Sequence, residues 1–519
     1  MLLRQGWKAR PLARRWRAPM APAAGQEDGR AAALDWGPLR QRWQGRIFTA
    51  EEMAEAGLGK ALAAGGRPLP LPAVCLRARS ECDVRRALEF LQRHELPFAL
   101  RSGGHCLADL SSHAELVLDL SELRRLAWDA RGLQAGPGVS TAELSGFLTS
   151  RGQLLPSGNC PAVSLGGQAL SGGFGLMGRR DGLVCDQVQA LRMVTAGGEL
   201  LEVNTEQNRD LFWALRGAGA GQFGVVTELH LRTQTAQAMN VVHGCWPLTE
   251  AAALIALWQE LAPGADPRVN LQLAILAGRP AGHGGGSGQP QVELFGAVLA
   301  EAAEVPALLA PWQRALGRLA ETLCEWRLPA AAAASYLCGR LDRRCEPAWQ
   351  ADPPFPAHGY QFTRSGFFEQ ALSRAAIAGL IEQFAAGRPA AQQRELSFIP
   401  WAGAYAQDLG TPGSSFAHRQ AHFMVRHTAV LGPSAQAADC ERARAWADES
   451  RACIAPFGNG HVYQGFAETD LEDWDQAYYG AALPRLRAIK ARHDPGLLFR
   501  HAQSIEPDAG QDEAAPLPA

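Results

Sequence analysis

Apolar residues recur at helical spacing in one early stretch, Val84, Ala87, Leu88 and Leu91, which predicts a helix over residues 80–94. Ser80 is placed to cap it, with Asp83 at the third helical position. Short apolar runs at 73–77 and 97–100 flank this helix and read as strands. Together they predict a small βαβ unit that ends in the Gly-rich turn at 101–105. A second unit runs to about residue 233, with strands at 116–120, 189–195 and 225–231. Its helices fall at 141–151 and 208–215, the latter stopping at Gly217. From about residue 236 longer helical segments alternate with strands such as 270–276 and 291–299, and a strand at 421–427 follows. Residues 30–66 predict one or two short helices, and residues 278–289 a Gly-rich, mobile loop.

A length of 519 residues allows two or three domains, each with its own core. The 50 basic and 52 acidic residues nearly cancel, which leaves no electrostatic case for nucleic acid or an anionic membrane. No apolar run reaches the length of a membrane span. Residues 1–19 carry several Arg and no Asp or Glu, and Arg14-Arg15 is followed by no apolar stretch, so a basic, disordered tail is expected rather than a signal peptide. The eleven Cys are odd in number, irregularly spaced and without a C-x-x-C pair, which argues against structural zinc and a disulfide framework. Buried, reduced thiols are expected, as at Cys75, Cys324 and Cys453, in a cytoplasmic protein with no metal site.

Glycines concentrate at 158–182 and 217–224. There the backbone could approach a bulky anion or planar ring without side-chain interference. Two nucleophilic side chains sit in such surroundings: His105, closing Arg101-Ser102-Gly103-Gly104-His105, and Cys160, in Gly158-Asn159-Cys160-Pro161. An imidazole and a thiol near Gly-rich turns suggest a covalently held cofactor rather than a metal.

Four motifs occur in order: the 101–105 turn, the Cys160 loop, Asp210-Leu211-Phe212-Trp213-Ala214-Leu215-Arg216-Gly217, and Gly221-Gln222-Phe223-Gly224-Val225-Val226. A C-terminal set follows, with Tyr478-Tyr479-Gly480, Lys490, Asp494-Pro495, Phe499-Arg500 and Gln503-Ser504-Ile505. In these motifs the chain resembles the berberine-bridge-enzyme-like FAD-linked oxidases of the vanillyl-alcohol oxidase / p-cresol methylhydroxylase superfamily. The resemblance runs from about residue 72 to 505 and is loosest in the middle.

The resemblance implies an α+β fold: a two-lobed FAD-binding domain with a substrate domain of antiparallel sheet covered by helices. The expected divisions are a tail and N-terminal helices (1–66), the FAD domain (67–235), the substrate domain (236–455), a C-terminal segment packing on the FAD domain (456–505) and a disordered tail (506–519). It also implies bicovalent FAD, His105 bonding the flavin 8α-methyl carbon and Cys160 bonding C6. Arg101, Ser102, Gly103, Gly104 and Cys106 would wrap the pyrophosphate, with Gly167, Ser171, Gly172, Gly175, Gly224 and Val226 completing the cofactor site.

Departures from the family pattern are specific. Cys106 stands for a usual Ser, Ser171 for a Gly, Gln222 for an Asn, His461 for a Gly, Gly465 for an Asn, Phe466 for a Tyr and Ala482 for an Asn. Removing a hydride from an alcohol carbon needs a base for the hydroxyl proton, and Tyr463, which matches the family's motif tyrosine, is the candidate. Arg426 matches a position where the family places Gln or Glu, and shares a strand face with His422 and Met424. It is expected to bind a substrate oxyanion or to lower the pKa of Tyr463, and no carboxylate base stands at its own position.

The expected activity is oxidation of an alcohol carbon of a sugar, aromatic or secondary metabolite, with O₂ as acceptor and H₂O₂ as product. A dehydrogenase using another acceptor, an oxidative cyclase and a non-catalytic flavin-binding protein are the alternatives. The partners expected are a small molecule and O₂, with neither nucleic acid nor membrane.

Overall fold

The computed structural model describes residues 29–56, 71–112, 114–158, 160–278, 289–330, 332–333, 360–409, 413–432 and 434–508. The basic N-terminal stretch, residues 279–288 of the expected Gly-rich loop, and the end of the expected C-terminal tail lie outside the described residues. No helix among the described residues is long and apolar enough to cross a membrane.

Three sheets organise the chain. The first has four strands, β1 (Arg46–Thr49), β2 (Val74–Arg77), β3 (Ala99–Arg101) and β4 (Leu116–Asp119), in the order β1-β2-β4-β3. The helix predicted at 80–94 runs Glu81–Arg93, and the Ser80 side chain accepts the backbone N–H of Asp83. Its predicted stripe Val84, Ala87, Leu88 and Leu91 is buried against this sheet. The strand–helix–strand unit differs from a simple βαβ pair, because β4 enters between β2 and β3 and pairs parallel with both. The register sets Leu118 opposite both Leu76 and Leu100.

The second sheet is antiparallel, in the order β5-β6-β10-β8-β9: β5 (Leu126–Asp129), β6 (Gly132–Ala135), β8 (Val188–Val194), β9 (Leu200–Asn204) and β10 (Val225–Leu231). A two-stranded ribbon of β7 (Gln153–Leu154) and β11 (Gln234–Thr235) lies beside it. The helix Thr141–Thr149 begins with a capping box between Ser140 and Glu143. Tyr478, Tyr479, Leu483, Leu486 and Ile489 from the C-terminal segment share the core of this sheet. Lys490 secures them: its buried Nζ donates to Asp494 at 2.7 Å, to the Phe499 carbonyl at 2.8 Å and to the Gln222 carbonyl.

The third sheet has seven antiparallel strands, β12 (Met239–Pro247), β13 (Val269–Ala277), β14 (Gln291–Val298), β15 (Cys324–Leu328), β16 (Tyr360–Phe368), β17 (Gln393–Pro400) and β18 (Phe423–Leu431). Their order is β15-β12-β14-β13-β17-β18-β16. Side chains alternate across each strand. Leu271, Leu273, Leu396, Phe398, Phe423 and Val425 face a core completed by the helices Ala251–Leu261, Val305–Leu316, Arg374–Ala385 and Ala437–Ala452. The intervening residues face the other way, towards the first two sheets. A bidentate pair joins the two parts, with Arg419 donating to both Asp186 carboxylate oxygens at 2.6 and 3.0 Å.

Two cysteine expectations are corrected. Cys75 is buried, but Cys324 is half-buried because it lies on an edge strand, and Cys453 is exposed at the C-cap of a helix.

Candidate active site

A cavity of about 610 Å³ runs between the first two sheets and the open face of the seven-stranded sheet, within the size range of small-molecule and cofactor sites. The Gly-rich turn forms one end. Ser102 Oγ donates to the Pro137 carbonyl at 2.6 Å and lies 2.8 Å from Ser164 Oγ, which fastens the turn to two neighbouring loops. Gly104 has φ of +70°, and a Cβ there would come 2.3 Å from an Arg101 guanidinium nitrogen, so only glycine suits the turn.

Ser102, Gly103, Gly104, His105, Cys106, Cys160, Gly167, Ser171, Gly175, Gly224, Val226, Tyr463 and Arg426 all line this cavity. Arg101 and Gly172 do not. Arg101 is buried and donates to Ser112 Oγ at 2.9 Å, which props the turn from behind. Gly172 faces the rings of Phe416 and Tyr463.

His105 opens onto the cavity, yet the surrounding protein desolvates it, and with the Arg101 charge nearby this lowers its pKa below the usual histidine value. Its imidazole is therefore neutral and keeps a lone pair at neutral pH. Cys160 is pushed the other way: burial raises its thiol, while the backbone N–H groups of Ala162 and Val163 act to lower it. Burial likewise raises Cys106. The Cys160 loop is fixed by Gln168, whose side-chain oxygen accepts the Gly158 N–H at 2.9 Å.

A flavin nucleotide fits this architecture. Gly167 lines the cavity and has no atom within 4 Å of where its Cβ would stand, so its bare backbone faces open space. A neutral imidazole and a thiol open onto the same space, and the far wall is aromatic, with Phe174 and Phe466 at 5.3 and 5.1 Å from the Tyr463 ring centre.

Tyr463 differs from expectation. Its hydroxyl accepts the Gly173 N–H at 3.0 Å, and burial raises the phenol well above its ordinary pKa. Arg426 does not lower it, because that guanidinium is engaged elsewhere: Nη2 donates to Glu395 Oε1 at 2.7 Å and to Ser397 Oγ at 3.1 Å, beneath the Phe466 ring. Sequence reasoning missed Glu395, which puts a carboxylate on the cavity wall next to Arg426. The available signal was alternation within β17, where Glu395 and Ser397 interrupt Leu396 and Phe398. Gln272 and Gln361 extend the same polar face. Gly465, at a family Asn position, also has a local reason: a Cβ there would approach the Tyr463 ring to 2.4 Å.

Comparison with known proteins agrees with this geometry. Residues 72–204 match the family described as "FAD binding domain", and residues 462–506 match "Berberine and berberine like". An FAD-linked oxidoreductase of Bacillus subtilis (strain 168) is 28% identical over 454 residues, 84% of this chain and 92% of that protein. A chitooligosaccharide oxidase of Gibberella zeae is 25% identical over 84% of this chain and 88% of its own length. The solved structure of Physcomitrella patens BBE-like 1 superposes with a TM-score of 0.79 at 20% identity, covering 92% of this chain and 100% of that one, which shows a common fold. The two family matches flank the cavity from both ends of the chain, and the chain is an FAD-dependent oxidoreductase similar to the berberine-bridge-enzyme-like proteins.

Proposed function

We propose that the protein oxidises an alcohol carbon of an uncharged small molecule, with FAD bonded through both His105 and Cys160. The observation that carries this reading is a single cavity lined by His105, Cys160, Tyr463 and the Glu395–Arg426 pair. When bound, FAD supplies a two-electron acceptor for the substrate hydride and returns the electrons to O₂ as H₂O₂.

The chain's own groups do the rest. His105 and Cys160 would hold the cofactor, at its 8α-methyl carbon and C6 respectively. Glu395 accepts the substrate hydroxyl proton, a role that needs a carboxylate oxygen within hydrogen-bond reach of the reacting hydroxyl. Arg426 and Ser397 fix that carboxylate by donating to it. Tyr463, kept protonated by burial, orients the reacting group rather than taking its proton. Because Arg426 is already paired with Glu395, the wall favours neutral hydroxylated substrates over carboxylates.

A substrate panel read by bleaching of the flavin band tests the reaction class, and mixing the reduced protein with air-saturated buffer tests the acceptor. Rapid reoxidation agrees with the oxidase reading; a reduced flavin that persists in air contradicts it.

A further inference from the structure

Behind the cavity wall lies a chain of polar groups that the reaction above does not use. Gln464 lines the cavity, and its Nε2 donates to the Gly217 carbonyl at 2.8 Å. Its Oε1 lies 2.8 Å from His418 Nε2, and His418 Nδ1 lies 3.1 Å from His461 Nδ1. His418 is buried and stacked on Phe367 with ring centres 4.4 Å apart, whereas His461 is half-buried.

The donors and acceptors admit one consistent assignment. A backbone carbonyl only accepts, so the NH₂ side of the Gln464 amide must face Gly217. Its oxygen then faces His418, which makes His418 Nε2 the donor and leaves His418 Nδ1 as an acceptor. His461 Nδ1 must carry the proton between the two rings. Burial lowers the His418 pKa to about 3, His461 adding to the effect, so the ring is neutral as the assignment requires. Flipping the Gln464 amide would set its oxygen against the Gly217 carbonyl and would require both histidines to exchange tautomers. The amide is therefore held in one orientation, with one of its two N–H groups used on Gly217 and the other left for whatever fills the cavity.

We propose that His418 and His461 are positioning residues: they lock the Gln464 amide so that its second N–H serves as a hydrogen-bond donor to the bound flavin. A donor of this kind stabilises the negative charge of the reduced ring, and hydrogen bonds to a cofactor are among the protein's means of tuning it. The inference rests on FAD occupying the cavity and not on the choice of substrate or acceptor.

The test is the flavin midpoint potential, measured by chemical reduction without substrate, so that its failure is separable from failure of the oxidase reading. Gln464→Met, which is close in volume but has no donor, is expected to shift the potential to more negative values. His461→Gly should shift it in the same direction by less. The double variant should match Gln464→Met alone, because both changes remove the same donor. Gln464→Asn, whose shorter amide cannot bridge His418 and Gly217, provides the same downward shift should the Met variant bind no flavin. An unchanged potential in both Gln464 variants overturns the proposal, as do shifts from Gln464 and His461 that add in full.

Discussion

Arg426 on β18 donates to Glu395 on β17 at 2.7 Å, across a register that places Ser397 directly opposite Arg426. The wall facing the cofactor therefore presents a compensated ion pair instead of a lone cation. Replacing Glu395 by Gln is expected to lower kcat by about 10²–10⁴-fold, the usual worth of a positioned general base. It also leaves Arg426 without its carboxylate partner, so relative kcat/KM should move towards substrates bearing a carboxylate. Matched neutral and carboxylated substrates measure both effects; unchanged turnover and unchanged preference would remove Glu395 from the mechanism.

Gly175 tests the loop that seats the cofactor. A Cβ at this position would stand 1.9 Å from the Ser157 carbonyl oxygen, a backbone atom that cannot swing aside. The Gly175 N–H and carbonyl also both bond Tyr405 Oη, at 3.1 and 2.7 Å. Gly175→Ala should destabilise the fold by about 1–3 kcal/mol through overpacking, read as a lower Tm and a lower flavin-to-protein absorbance ratio.

Lys490 and Asp494 form a buried pair that ties the C-terminal segment to the Gln222 loop. Lys490→Met removes one charge and leaves the other buried, at an expected cost of about 3–5 kcal/mol. Adding Asp494→Leu to that variant should recover part of the loss. Chemical denaturation of the three proteins checks this, and a double variant no more stable than Lys490→Met would refute it.

Buried histidines make stability depend on pH, His418, His427 and His501 most strongly. Burial lowers His418 and His427 to about 3 and His501 to about 4, against about 6.5 in an unfolded chain. Their folded pKa values lie below the unfolded one, so the full contribution is present above pH 6.5. As pH falls from there towards 4, protons bind the unfolded chain first and stability declines, by up to about 1.4 kcal/mol per pH unit for each histidine. His427→Gln should reduce the slope of stability against pH between 6.5 and 5, by up to about 1.4 kcal/mol per pH unit. A slope identical to the parent protein's would contradict this assignment.

What could be read from the chain was local. The helix Glu81–Arg93 and its buried stripe follow from spacing and a cap, and the turn ending at His105 follows from its glycines. What could not be read depended on contacts between distant residues. The entry of β4 between β2 and β3 leaves no mark on either neighbour's sequence. The Glu395–Arg426 pair joins positions on separate strands, so each looks like an isolated charge when taken alone. Arg101 stands in the cofactor motif but turns towards Ser112, a direction that spacing does not encode. His418 and His461 similarly acquire meaning only when the fold sets their rings 3.1 Å apart.

The central claim is that FAD is tied to the chain at His105 and Cys160 together, and a trypsin digest of acid-denatured protein tests it most directly. Cleavage after Arg101, Arg124, Arg151 and Arg179 places the two residues in separate segments, 102–124 and 152–179. The account predicts that both segments travel as one flavin-bearing species whose mass is their sum plus one FAD, less the two hydrogens lost at each of the two bonds. Single replacement of His105 or Cys160 should leave the flavin on the other segment alone. Release of free FAD from the wild-type protein on denaturation, or separate segments with no flavin on either, would contradict it.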